Sequence, residues 1–565
     1  MKPMKNKNNQ NKEIYSHAPY NFIPLNNKVV QAEEIPEFDK YHPERYTGYI
    51  DIEIETLTPL YIRDTLTEQE YKEKLKMQKN EQQYINPDFF SPGGILRIPG
   101  SSLRGMIRTM VEIISFGKFT FFDDRRLYFR SFADACKNLR DEYRKKIKKP
   151  EAGILTKEGL NYYIVPTSFK KIEKDDVKIL LENTKPFNFY PMTYNGKDGY
   201  LVVSGPMGNK KHDYFIEKPK DYSNKIHLSE DDINDYKNDK TRKAYVDLIK
   251  TLEKHKEVPC FYSEYYDSNN RKRIAFGHTL MFRIPYEKTI GDHIPSELKN
   301  ENFIDIAEAI FGKETNHATR VFFEDAYLSG AENPLLPPST PNILSSPKPT
   351  AFQHYLIQKN ENLREFPENL AHYNSPNQIR GYKLYWHKDG KEWQETDEEN
   401  IKKHKTQYTR ITPVKEGVKF FGRIRFENIS QVELGALLFA IELPEGCAHK
   451  LGMGKPLGLG SIRIKPRLYI SDRTKRYTEL FYEWNEPMKS VDTTEFKKAF
   501  ENYILEKLGE KQLNSLWNHQ RMKKLMIMLN FKNKPDNEST EYLSLNEFRK
   551  RKILPEPEQV IGMQT

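Results

Sequence analysis

The chain has 565 residues, several times the usual domain length, so two or more domains, or one domain with large insertions, are expected. Hydrophobic residues make up 37% of it and aromatic residues 12%, against 30% charged; that balance excludes a low-complexity chain without a core and fits a folded protein with a large hydrated surface. Its 90 basic and 80 acidic residues leave a net charge of +10, too small an excess for a histone-like polycation but one that permits a polyanionic partner.

Met1 to Lys12 is rich in Lys, Asn and Gln with no apolar stretch, and no run of about 18 apolar residues follows anywhere. A cytoplasmic protein with no membrane partner is expected, its first residues, 1–17, disordered. The first strand is Gly48 to Glu55, where Ile50, Ile52 and Ile54 alternate with Asp51, Glu53 and Glu55, giving one core face and one wet face. Glu68 to Gln83 reads as a solvated loop or short helix, and the chain re-enters the core near Ile95.

Ile98-Pro-Gly-Ser-Ser-Leu-Arg-Gly-Met-Ile-Arg108 opens a helix. Ser101 or Ser102 is its expected N-cap, Leu103, Ile107, Met110, Val111 and Ile114 repeat at helical spacing, and Gly117 would end it. Helix starts leave N–H groups without internal partners, so the serine pair can either cap the helix or orient a phosphate beside Arg104 and Arg108.

From about Lys118 to Asn300 the pattern is irregular, with charged helical pieces at Ala133 to Lys149 and Ser229 to Glu257, and reads as inserted material. Order returns at Phe303 to Gly312, a helix ended by glycine, and at Arg320 to Tyr327, a strand. Pro334 to Pro349 holds six prolines and can be neither helix nor central strand. Val418 to Glu427 alternates apolar and mostly basic positions as a strand. Ser430-Gln-Val-Glu433 is then a capping box for a helix with Leu434, Leu437, Leu438 and Ile441 as its apolar stripe.

Leu451-Gly-Met-Gly-Lys-Pro-Leu-Gly-Leu-Gly460 puts four glycines in ten residues before a strand, Ser461 to Ile470, with Arg463, Lys465 and Arg467 outermost. Glycine allows positive φ and close backbone approach, so successive N–H groups can face phosphate oxygens while Lys455 adds charge; a tight turn is the plainer reading. Strand, helix, glycine loop and strand form one half of a ferredoxin-like βαββαβ unit, and Gly48 to Gly117 supplies the opening strand and helix of the other. A C-terminal helix is expected over Leu513 to Leu529. The three cysteines, Cys136, Cys260 and Cys447, are far apart and unsuited to a disulfide framework or zinc site, and the histidines show no HExxH or HxH pair.

Taken together, Ile98-Pro-Gly-Ser-Ser-Leu-Arg-Gly, Ile310-Phe-Gly followed by Phe322-Phe-Glu-Asp-Ala326, and the glycine loop resemble the RAMP superfamily of CRISPR-associated proteins. The resemblance is to backbone subunits of type III effector complexes, among them long single-chain members that open with a phrase like Ala18-Pro-Tyr-Asn-Phe-Ile-Pro-Leu25. Pro347-Lys-Pro-Thr350, Arg380-Gly-Tyr-Lys383 and Phe426-Glu-Asn428 are similar to further phrases of that subgroup. The resemblance implies an α+β fold: a ferredoxin-like, RRM-type RAMP core in two parts, 18–117 and 301–470 with the Pro-rich segment 334–349, a 118–300 insertion, and a helical extension over 471–565.

It also implies antiviral defence in complex with CRISPR RNA, target RNA and other effector-complex subunits. Guide contacts then fall on Ser101, Ser102, Arg104, Arg108, Gly452, Gly454, Lys455, Gly458 and Gly460. Some members cut the paired target RNA with a loop aspartate and a divalent metal. That role maps first to Asp88, in Asn86-Pro-Asp-Phe-Phe90, and second to Asp64, with Mg²⁺ on Asp88 for target cleavage; from the residues alone an aspartate beside proline is more often a turn residue. The competing functions are a stand-alone RAMP endoribonuclease processing repeat RNA, disfavoured because no histidine lies between His42 and His212, and a protein-only scaffold in which the glycine loop is merely a turn.

Overall fold

The computed structural model describes residues 14–77, 88–173, 176, 188–204, 211–240, 246–344, 346–479 and 490–562. Its largest sheet uses β1 (Tyr46–Thr56), β2 (Val321–Phe323), β3 (Ala326–Ser329), β4 (Lys419–Ile429) and β5 (Ser461–Ile470). The order is β5–β1–β4–β3, with β2 also on β4, and every pairing is antiparallel. Register explains why the sheet has one apolar face. Ile50, Ile52 and Ile54 of β1 lie opposite Ile424, Gly422 and Phe420 of β4, and opposite Leu468, Pro466 and Ile464 of β5.

Two helices belong to the same core, α1 (Gly100–Ile114) and α2 (Gln431–Ile441). Leu103, Ile107, Met110, Val111, Ile113 and Ile114 of α1 are buried in it. α2 starts with the expected capping box, Ser430 Oγ accepting from Glu433 N at 3.1 Å and Ser430 N donating to Glu433 Oε2 at 2.8 Å. It has no solvent-facing stripe, since every residue from Val432 to Ile441 is buried. The cause is α3 (Thr494–Leu508), which packs on the outside of α2 so closely that a Cβ on Gly435 would lie 2.1 Å from Phe496 O. Sequence periodicity missed α3 and placed the C-terminal helix too early; that element is α4 (Gln520–Leu529), preceded by a 3₁₀ turn at Leu516–Asn518.

Further corrections concern element ends. Neither Ser101 nor Ser102 caps α1, because Pro99 holds the N-cap position and the serines lie in the first turn. The left-handed residue that ends α1 is Phe116, at φ 52°, one residue before Gly117. The Arg320–Tyr327 strand is two strands, broken at Glu324 and Asp325. Residues 1–13 of the expected disordered start lie outside the described residues, but Ser16 is buried and its N–H donates to Ile553 O at 2.8 Å, so 14–17 is docked.

The 118–300 region is far from irregular. Glu151–Glu158, Asn161–Thr167, Ile226–Leu228, Glu257–Tyr266 and Lys272–Gly277 form a five-stranded sheet, and Phe169–Glu173, Asn188–Tyr194, Lys197–Val203 and His212–Glu217 a four-stranded one. The first sheet is covered on both faces. Ile154 and Phe261 enter one apolar cluster while Leu155, Cys260 and Tyr262 enter another, so its strands lack the polar alternation that marks a half-wet strand. The expected helices shrink to Lys137–Lys146, Glu230–Asn238 and Leu248–Leu252. All three cysteines are free and buried. Among the described residues no helix is long and apolar enough to cross a membrane.

Behind β2 and α2 lies a buried ion pair. The Arg320 guanidinium meets the Glu433 carboxylate, with Nη1 to Oε2 at 2.9 Å, and donates to Asn428 O at 2.6 Å and Ala309 O at 2.8 Å. Replacing Glu433 with Ala strands that cation and should cost about 3–5 kcal/mol in urea unfolding, whereas Glu442→Ala, which loses a half-exposed pair with Lys497, should cost under about 1 kcal/mol.

Candidate nucleic-acid interface

The start of α1 is fixed by its approach strand. Arg97 and Ile98 pair with Tyr327 and Ala326 of β3, which brings the helix start onto the Glu324–Asp325 turn. There Asp325 Oδ1 accepts from Gly100 N at 2.8 Å, taking the capping role the serines were expected to fill. Gly100 is required by packing, since a Cβ would lie 2.3 Å from Phe323 O. With the cap supplied by Asp325, the hydroxyls of Ser101, which is exposed, and Ser102, which is half-buried, have no hydrogen-bond partner among the described residues. Arg104 and Arg108 follow on the same helix. Arg104 Nη2 donates to Phe311 O at 2.8 Å, and Arg108 Nε pairs with Glu112 Oε1 at 3.0 Å while its guanidinium lies over the Phe121 ring. Burial, then the nearby Arg108 charge, lowers the Arg104 pKa; burial raises Glu112 to about 7 against the opposing effect of Arg108.

The glycine loop uses its glycines as backbone joints. Gly452, Gly454, Gly458 and Gly460 have φ of 78°, 69°, 98° and 78°, a region that side chains disfavour. Gly458 and Gly460 are buried, and their N–H groups donate to Lys455 O and Pro59 O. These two therefore shape the loop from beneath, with their N–H groups already engaged within the protein. Gly452, Gly454 and Lys455 are partly exposed, and among the described residues the N–H groups of Gly454 and Lys455 have no acceptor.

Lysines surround this loop. Lys450 Nζ donates to Gly458 O at 3.2 Å, Leu459 O at 3.0 Å and Ser461 Oγ at 3.1 Å, holding the loop onto β5. Burial, then the charges of Lys388 and Lys455, pushes the Lys450 amine well below the usual lysine range; burial also lowers Lys455 and Lys388. Among the described residues none of the three has a carboxylate at ion-pair distance. Glu541, Asp389 and Glu392 oppose the shift at Lys388 from beyond ion-pair distance, and an incoming phosphate would stabilise the like charges of Lys450 and Lys455.

A short ladder joins loop and helix. Met453 N donates to Tyr61 O at 2.8 Å; the same segment continues to Asp64, whose N–H donates to Asp88 O at 3.2 Å, and Phe90 N returns to Ile62 O at 2.9 Å. Arg97 N then donates to Phe90 O at 3.1 Å, directly before α1. Both candidate aspartates thus sit between the loop and the helix start. The Asp64 carboxylate is engaged locally, accepting from Thr65 N at 2.8 Å and from Ser91 N and Oγ at 3.1 Å each, as a turn aspartate does. Asp88 is exposed. Between them the Tyr61 hydroxyl is buried without a partner among the described residues; burial raises its pKa to about 12, Arg63 opposing and Asp88 and Asp64 adding to the rise. No group of three or more His, Cys, Asp or Glu side chains is placed to hold an ion among the described residues.

The sequence profile of the RAMP superfamily matches residues 53–463, a span that runs from β1 through the glycine loop into β5. The chain belongs to the RAMP superfamily. No curated protein matches it. Sixty-four chains of solved structures do, among them one from a cryo-electron microscopy structure of the type III-B Cmr-beta bound to cognate target RNA, at 10% identity and a TM-score of 0.19, covering 75% of this chain and 98% of that one.

In this RAMP protein the residues that sequence reasoning missed are Asp325, Lys388 and Lys450. Asp325 stood in a noted motif, but its role depends on strand pairing across a large gap in sequence. Lys450 directly precedes the loop and was legible as one more basic residue; Lys388 was not, since only the fold brings it there. Asp325→Ala removes the α1 cap and should cost about 1 kcal/mol of stability, whereas Asp325→Asn, which keeps an acceptor, should lose less; thermal unfolding of both variants checks this.

Proposed function

We propose that this RAMP protein is a CRISPR RNA-binding subunit of a type III effector complex, holding the guide backbone across the glycine loop and the start of α1. The observation that carries the reading is the cluster of Lys388, Lys450 and Lys455 beside Gly454, none with a carboxylate at ion-pair distance among the described residues, one backbone ladder away from the unpartnered serine hydroxyls. Ser101, Ser102, Arg104, Arg108, Gly452, Gly454 and Lys455 are the contacts assigned. The core is read as ferredoxin-like, supported by the β5–β1–β4–β3 order with α1 after β1 and α2 after β4. We divide the chain accordingly into two core parts, 18–117 and 301–470, a 118–300 insertion, and an extension over 471–565, and expect it to work in the cytoplasm with other subunits of the complex.

Target cleavage is assigned to Asp88, an exposed residue on the segment that leads to α1, in preference to Asp64. Asp88 supplies one carboxylate of the donor set that a divalent ion would need. Repeat-RNA processing by a stand-alone enzyme has less support. His354, His387 and His449 are buried, and burial lowers the pKa of each.

Sequencing of RNA that copurifies with the tagged chain and its native partners tests the reading. Short RNAs sharing one repeat-derived tag with varied spacers are the expected result, and absence of enriched RNA would leave a protein-only scaffold. For the isolated chain, Lys455→Ala should lower the slope of log affinity against log salt by about 0.7. Asp88→Ala should abolish a metal-dependent target cut while leaving guide binding intact, and Asp64→Ala should leave the cut in place.

A further inference from the structure

Two phrases that the glycine loop and α1 leave unused, Ala18 to Leu25 and Arg380 to Lys383, are far apart in sequence and meet in the fold. The strand Tyr20–Ile23 pairs antiparallel with Tyr382–Tyr385, which sets Tyr20 opposite Tyr385 and Phe22 opposite Lys383. Alternation along each strand puts these four side chains on one face. That face packs into an apolar cluster of Ala18, Tyr20, Phe22 and Leu554, with Tyr355 and Tyr385 at its edge. A lysine therefore enters a site built from apolar and aromatic groups.

Lys383 Nζ stands 3.8 Å from the centroid of the Tyr20 ring, 5.3 Å from that of Tyr355 and 5.5 Å from that of Tyr385, and donates to the Tyr355 hydroxyl at 3.0 Å. Among the described residues no carboxylate is at ion-pair distance from it. The ionisable groups around it supply no negative charge either. Burial raises the phenols of Tyr20, Tyr355, Tyr385 and Tyr542. His354, bonded to Tyr20 and Ser16, is driven neutral by burial and then by the charge of Arg380, and Arg380 itself takes Glu556 at 2.7 Å. The ring faces offset part of the hydration that the amine has lost, yet burial still lowers Lys383 to about 8. At about pH 7.5 roughly a quarter of it is then free amine, against roughly 0.1% of an ordinary lysine. Lys383 is only partly buried, and Tyr542, beside Tyr355 and Tyr385, is 44% exposed, so the amine is open to a small electrophile.

We propose that Lys383 is a covalent modification site, its amine accepting an acyl group from an acyl phosphate or an acyl thioester. The nitrogen lone pair attacks the acyl carbon. The N–C bond forms as the C–O or C–S bond breaks, phosphate or thiolate leaves with the bonding pair, and the surplus proton on nitrogen passes to water. The resulting amide is uncharged, so acylation removes an uncompensated cation from among the tyrosine rings. The site uses no residue assigned to the guide and stands whether or not the glycine loop holds RNA.

The test treats the full chain with acetyl phosphate and, separately, with acetyl coenzyme A, from about pH 6 to about pH 10, and follows acetylation of each lysine by peptide mass spectrometry. Lys402, whose side chain is 78% exposed, is the reference. At about pH 7.5 Lys383 should react about tenfold faster than Lys402, and its rate should level off above about pH 8, whereas that of a hydrated lysine climbs to about pH 10. Faster reaction with one donor alone supports the site and identifies the donor class. A rate no greater than that of Lys402, or one that climbs to about pH 10, overturns the proposal and leaves Lys383 an ammonium held by the rings. Two variants test the cause, each checked first by thermal unfolding. Tyr385→Glu places a carboxylate beside the amine and should cut the rate at neutral pH about tenfold. Tyr355→Phe keeps the ring but removes an acceptor of the ammonium, and should leave the rate at least as high. An unchanged rate in folded Tyr385→Glu, or lost reactivity in folded Tyr355→Phe, also overturns the proposal; if Tyr385→Glu does not fold, Tyr355→Phe and the pH profile of the unaltered chain decide it.

Discussion

The core depends on one charge that cannot be left alone. Arg320 and Glu433 are 3% and 1% exposed, and removing such a pair from water is tolerable only when each charge meets the other and every remaining donor finds an acceptor. That requirement is met by Ala309 O in the helix Ile306–Phe311, by Asn428 O at the end of β4 and by Glu433 in the first turn of α2. Glu433 also closes the capping box with Ser430 and accepts from Arg45 at 3.3 Å, at the entrance to β1. One guanidinium therefore sets the relative positions of a helix, two strands and the start of α2.

The lysine cluster at the glycine loop has the opposite electrostatic character. Lys450 is held by three hydrogen-bond acceptors, and burial lowers the proton affinity of Lys388, Lys450 and Lys455; the charges of Lys388 and Lys455 lower Lys450 further, while Glu541, Asp389 and Glu392 oppose the shift at Lys388. In the proposed complex an arriving phosphate would oppose the repulsion felt by Lys450 and shift its depressed amine toward the charged form.

Legibility in the sequence followed how many faces of an element are wet. β1 and β4 were readable because each has one buried and one exposed face, and α2 was readable at its start because a capping box is a local signal. The strands of the five-stranded sheet were not, because Ile154 and Leu155, neighbours in sequence, enter two different cores and leave no alternation. α3 was missed for a related reason. Its apolar residues Phe496, Phe500 and Ile504 are sparse, and the compensating signal, an α2 with no polar side, was read as a stripe. At the site, the positive-φ glycines and Lys455 were local and visible, whereas Asp325 and Lys388 depend on contacts between distant segments.

The large insertion leaves this core undisturbed because its two ends meet at one point. Lys118 N donates to Asp305 Oδ2 at 2.6 Å and Lys118 Nζ pairs with Glu308 at 2.6 Å, while Asp305 also caps Ile306–Phe311 by accepting from Glu308 N at 2.7 Å. Gly117 is needed for this closeness, since a Cβ there would lie 2.8 Å from Asp305 Oδ2. The segment that leaves after α1 thus returns beside its own point of departure. Loop-closure entropy grows only slowly with length once the ends are pinned, so the intervening residues can build two sheets of their own without straining β1 to β5. The pinned ends also lie behind α1, on the Asp305 side of the core, whereas the glycine loop, the Asp64–Asp88 ladder and Ser101 are joined through the other end of the same helix. The helix that carries Arg104 and Arg108 is consequently anchored at one end by the closure of the 118–300 region and at the other by Asp325.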